Sequence, residues 1–156
     1  SLQLDFLRNV RGGLKENGRL YLAIENRYDY KMFFGETDPH SGLLLTSVLP
    51  KFMANILSLI FRQSSYRTWI YSFSETKNLL EEAGFNSFEI YSCWPNYRMP
   101  DYITPHGKRS QNYKPITPWK NGKLRIKRLI ANRIEWLLFY ILNLQFFSPS
   151  IIIIAK

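Results

Sequence analysis

The sequence predicts an α/β fold, with three strands in one sheet and two long, largely helical inserts between them. Three observations lead there. Residues 19–25 form a short apolar run bounded by turn residues and apolar on both faces. Such a run reads as an interior strand covered by helices on each side. Residues 72–92 read as an amphipathic helix, a glycine stop and a second strand. The last seven residues, SIIIIAK, read as a third, buried strand.

In chain order, Leu4, Leu7 and Leu14, with Phe6 and Val10, predict a short helix over about 3–15. Gly12 and Gly13 weaken its second half, since each glycine costs about 1 kcal/mol relative to alanine. Asn17-Gly18 signals a turn before the first strand. Residues 26–46 read as a loop. A helix is expected over 47–62, with Ser47 as its cap and Pro50 in its first turn, where a missing N–H is tolerated. Phe52, Met53, Ile56, Leu57 and Ile60 make its apolar stripe. Lys51, Asn55, Ser58 and Arg62 make the opposite face.

The next helix has the clearest signature. Ser72 and Glu75 match a capping box, and Phe73, Thr76, Leu79, Leu80 and Ala83 line one side. Gly84 stands where a helix stops in left-handed geometry, with Phe85 placed for the accompanying apolar contact. A strand over about 87–92 follows. Residues 93–122 hold five prolines and no periodicity, and read as a loop. From about Leu124 a long helix is expected, apolar nearly all round over 136–142 and ending at Ser148-Pro149. The expected organisation is one domain, 1–156, with inserts at about 26–71 and 93–148.

Hydrophobic residues make up 46% of the chain and aromatics 16%, enough for a packed core and against disorder. A single cysteine, Cys93, excludes an internal disulfide and fits a reducing compartment, so a cytoplasmic location is expected. The first residues show no charged stretch ahead of an apolar run, as a secretory leader would have. No run reaches the roughly 20 apolar residues of a membrane span. The net charge is +9. The bases Lys108, Arg109, Lys114, Lys120, Lys123, Arg125, Lys127, Arg128 and Arg133 fall within 107–134 with no acid among them.

The stretches LKENGRLYLAIEN, FSETKNLLEEAGFNSFEIY and SIIIIAK together resemble the C-terminal half of class I S-adenosylmethionine-dependent methyltransferases. In that family an N-G-type turn leads into the fifth strand, and a helix ending L-L-x-x-A-G-F leads into the sixth. The seventh strand returns antiparallel between them. The resemblance implies a partial Rossmann-like sheet and S-adenosylmethionine as cofactor. It also implies a methyl acceptor that is a small molecule or a glycan. The strand end Glu25-Asn26-Arg27 and the run PNYRMP at 95–100 are similar to a bacterial subgroup associated with surface polysaccharides.

Two family features are absent from the sequence. The glycine-rich loop follows the family's first strand, whereas Gly12-Gly13 follows a helix; no acid closing a second strand is present to bind the ribose. The chain is therefore expected to be the substrate-side portion, inactive alone. Its partner would be the missing N-terminal half of the fold. A half-sheet leaves an apolar edge open, so self-association is also expected.

Ligands of open α/β sheets bind beyond the carboxyl ends of the strands. Glu25, Asn26, Arg27 and Tyr28 occupy that place as candidate substrate-binding residues. Glu25 or Asn26 would hold a substrate hydroxyl and Arg27 an acidic group. The plainer alternative is an ordinary polar turn. His40, with Glu36 and Asp38 near, is a conceivable general base; a loop histidine without a role is the alternative for it and for His106. No metal-ligand spacing is present.

Lys123, Arg125, Lys127 and Arg128 open the long helix as a candidate anion or membrane contact. Nucleic acid is a second partner class, with Tyr113, Trp119 and Trp136 as stacking rings. A solvated basic face is the third reading. The functional alternative to an enzyme is thus an interaction module carrying a basic amphipathic helix.

Overall fold

The computed structural model describes residues 1–108, 129–130 and 132–156. The candidate anion contacts Lys123, Arg125, Lys127 and Arg128 lie outside the described residues, as do Tyr113 and Trp119.

The fold is mixed α/β around a four-stranded sheet. Helix α1 spans Leu2–Gly13 and β1 spans Leu20–Glu25. The first insert carries a one-turn helix α2, Tyr30–Phe33, and a longer helix α3, Lys51–Arg62. Helix α4, Phe73–Glu82, leads into β2, Phe88–Trp94. A short β3, Tyr102–Pro105, follows, and β4, Ser150–Ala155, ends the sheet.

The sheet order is β1-β4-β2-β3 with every neighbouring pair antiparallel. Both β1 and β2 run opposite to β4, so they are parallel to each other. Leu20 and Phe88 both face Ala155, and Glu25 and Cys93 both face Ser150. The register therefore brings the carboxyl ends of β1 and β2 to one edge. The three expected strands share one sheet, with β4 between the other two.

β4 is the buried strand. Ile151, Ile153 and Ala155 point into a core with Leu7 of α1, and with Phe73, Leu80, Ala83 and Phe85. Burying such side chains contributes roughly 1.5–3 kcal/mol each. The α4 capping box forms: Ser72 Oγ accepts from the Glu75 N–H while the Glu75 carboxylate accepts from the Ser72 N–H. Gly84 ends the helix at φ +97° and Phe85 is buried.

Several expectations are corrected. β1 is not an interior strand. It has β4 alone as a neighbour among the described residues, and Tyr21 is exposed. The loop read over 93–122 contains β3, whose Tyr-Ile-Thr suits a strand; Pro105 is tolerated because β3 is an edge. Helix α3 begins at residue 51, with Pro50 at its cap position and no side-chain cap.

The face of α3 is also inverted. Ala54 and Ser58 are buried, while Phe52, Met53, Ile56 and Ile60 are exposed. Its small residues let the helix lie close to the loop beneath, where Asn55 Oδ1 accepts from the Tyr66 N–H at 3.0 Å and Arg62 Nε donates to the Ser41 carbonyl at 2.8 Å.

The last helical stretch passes into a π-helical segment, Trp136–Ile141, and ends before Asn143, which has φ +53°. It does not run to Ser148-Pro149. Nor is it covered all round: Phe139 is buried against Tyr30 and Trp94, while Leu137 and Leu142 are exposed. Among the described residues no helix is long and apolar enough to cross a membrane.

Candidate functional site

The shared carboxyl edge of β1 and β2 opens into a cavity of about 260 Å³. That is a little below the roughly 300–1,000 Å³ of most small-molecule sites. Much of its lining comes from three segments, with Ile70, Pro149 and Ser150 adding to it. Glu25, Asn26 and Asp29 come from the end of β1. Asn96, Tyr97 and Arg98 come from the turn after β2. Lys31, Glu36 and Ser47 come from the first insert. The PNYRMP run thus supplies part of the lining.

Each of the four candidate residues has a distinct position. Glu25 lines the cavity, and its Oε2 lies 2.9 Å from His40 Nε2. Asn26 also lines it, but its side chain is 3% exposed and works as a clamp. Its Nδ2 donates to the Phe146 and Ser148 carbonyls, each at 2.7 Å. Arg27 turns away toward α4 and α3. It donates to the Ser47 carbonyl at 3.2 Å and the Leu49 carbonyl at 3.3 Å, and forms an ion pair with Glu75. Tyr28 stacks on Phe146 with ring centroids 4.8 Å apart.

The structure adds two residues. Asp29 caps α2 by accepting from the Lys31 N–H at 3.0 Å, and Lys31 Nζ lies 3.7 Å away. Burial pushes its carboxyl up to about 6, against the opposing pull of Lys31. A group titrating there can exchange a proton near neutral pH, as functional carboxyls do. Ser47 is 5% exposed, lines the same cavity, and its buried Oγ has no hydrogen-bond partner among the described residues. Buried hydroxyls are ordinarily paired, so this one has bonding capacity to offer a ligand.

His40 is held by its neighbours. The Asp38 carboxylate, fully buried, accepts from the His40 N–H at 2.7 Å, from Thr46 Oγ1 at 3.1 Å and from the Tyr66 hydroxyl at 2.6 Å. Asp38 is therefore the staple of this loop, and it fixes His40 beside Glu25. His106 instead stacks on Phe73 at 3.8 Å, and burial lowers its pKa, keeping it neutral. Cys93 is buried and its thiol is pushed up to about 11 by burial, which disfavours the thiolate. Among the described residues no cluster of His, Cys, Asp and Glu could hold a metal ion.

The cofactor implied by the resemblance needs a glycine-rich turn between a strand and a helix. Gly12 and Gly13 lie inside α1, so that pair is not such a turn. Neither the family models, the curated proteins nor the solved structures give a match to this chain.

Proposed function

We propose that this chain is the acceptor-side portion of an S-adenosylmethionine-dependent methyltransferase acting on a small-molecule or glycan hydroxyl. The observation that carries the reading is the sheet order. A final strand lies antiparallel between two mutually parallel strands, and a polar cavity sits at the carboxyl ends of that pair. The position of β1 agrees with it. A strand of interior composition has no second neighbour among the described residues, which leaves an edge where a cofactor-binding half would join.

The cavity suits a hydroxylated acceptor. Glu25, Asp29 and Glu36 offer acceptors, and the unpaired Ser47 hydroxyl and Asn96 offer further polar contacts. Glu25 with His40, and Asp29 through its raised pKa, are the groups able to take a proton from an acceptor hydroxyl. Arg27 and Asn26 hold the wall. A buried lone Cys93 agrees with a reducing, cytoplasmic setting.

The test is transfer of a labelled methyl group from S-adenosylmethionine by the complete gene product in a cell extract. Transfer lost in Glu25→Gln and Asp29→Asn, with the fold retained, supports the reading. Transfer undiminished in both variants rejects this cavity as the acceptor site.

A further inference from the structure

Helix α3 turns to solvent the face that a globular protein normally hides. Phe52, Met53, Ile56, Leu59 and Ile60 on it are all exposed, Phe52 at 67% and Ile60 at 65%. Apolar residues scattered singly over a surface need no explanation, but five on one helix face do. The helix is not free to roll the face inward. Asn55 and Arg62 tie its other side to Tyr66 and Ser41, and Ala54 is completely buried beneath it.

The segment that carries this face has charge of one sign. Residues 39–74 contain Lys51, Arg62 and Arg67 and not one aspartate or glutamate. Trp69 is exposed just beyond the helix, with the Lys51 ammonium 4.7 Å from its ring centre. Large aliphatic and aromatic side chains bordered only by bases are the composition of helices that lie in the headgroup region of a bilayer.

We propose that the exposed face of α3 is a docking surface for an anionic lipid bilayer. Its apolar side chains enter the acyl boundary, and Arg67 lies at the lipid phosphates. Other occupants fit less well. A second copy meeting this face about a two-fold axis would bring the same bases together with no acid in the segment to pair them. A strand completing the sheet would meet β1, because α3 presents no open backbone edge. The docking surface stands whether or not the chain belongs to a methyltransferase.

Flotation of the whole chain with phosphatidylcholine vesicles, with and without phosphatidylglycerol, tests it. The wild type binds the anionic vesicles. The triple variant Phe52→Gln, Ile56→Gln, Ile60→Gln binds them at least about tenfold more weakly. Arg67→Gln loses about fivefold. Circular dichroism reports whether the fold is kept. If the triple variant loses it, Ile60→Gln alone, at a 65% exposed position, is expected to bind about threefold more weakly. The proposal is overturned if the wild type ignores anionic vesicles, or if the folded apolar variants bind as tightly as the wild type. It is also overturned if light scattering shows the triple variant dissolving a dimer, since a second copy would then be what covers the face.

Discussion

Asn26 decides whether the carboxyl end of β1 meets the segment before β4. Its amide serves two carbonyls at once in a buried setting. Asn26→Ala strands both, at a cost of about 1–3 kcal/mol, read as a lower urea midpoint at unchanged slope. Asp29 carries the opposite kind of tension. Its carboxyl titrates at 3.8 when unperturbed and at about 6 in the fold, so between those values the folded chain binds the proton more tightly. Its contribution to stability is greatest below pH 3.8 and is lost as pH rises through about 6. Asn at this position keeps an oxygen to cap α2. Asp29→Asn is therefore expected to gain up to about 3 kcal/mol over wild type at neutral pH and nothing at low pH, measured by denaturation across that range. The place of Glu25 at the carboxyl end of β1 was legible in the sequence, and strand ends are where ligands gather. Asp29 and Ser47 were not. Their significance comes from burial by segments far along the chain, such as Pro95 to Arg98, and no local pattern records that.

At the scale of elements, local chemistry read well where it was self-contained. The α4 capping box and the Gly84 stop depend on residues within a few positions of each other, and both form. The π-helical segment and β3 were missed, since neither an edge strand of four residues nor a change in helical turn leaves a strong periodic trace. Helix α3 shows the limit most clearly. Its periodicity reveals an apolar face but not which face the fold covers, and here tethers from Asn55 and Arg62 choose the small side. Stability should follow the structure and not the pattern. Ala54→Leu, at a fully buried site, is expected to cost about 1–3 kcal/mol or more through overpacking. Ile56→Gln, at an exposed one, should stay within about 0.5 kcal/mol of wild type. Thermal unfolding of the two variants side by side separates them; a larger loss in Ile56→Gln than in Ala54→Leu would mean that α3 lies the other way round.

For the whole molecule, the sheet is the organising fact. Its order aligns the ends of β1 and β2 on one cavity and leaves β1 with one neighbour among the described residues. An apolar edge strand is a template for further pairing. We expect light scattering to give a mass above that of the monomer at high concentration, unchanged by the α3 substitutions; a clean monomer would count against an adhesive edge. The three strands were readable because apolar composition and strand-turn signals are local; their arrangement was an expectation of the resemblance, which no local signal carries. We propose that this chain forms the acceptor side of a methyltransferase whose cofactor is held by the complementary part of the fold. Calorimetric titration of S-adenosylmethionine into this chain and into the complete gene product is the decisive test. Saturable binding is expected for the complete product and none in the micromolar range for the chain. Micromolar binding by this chain alone, or no binding by either, would contradict the proposal.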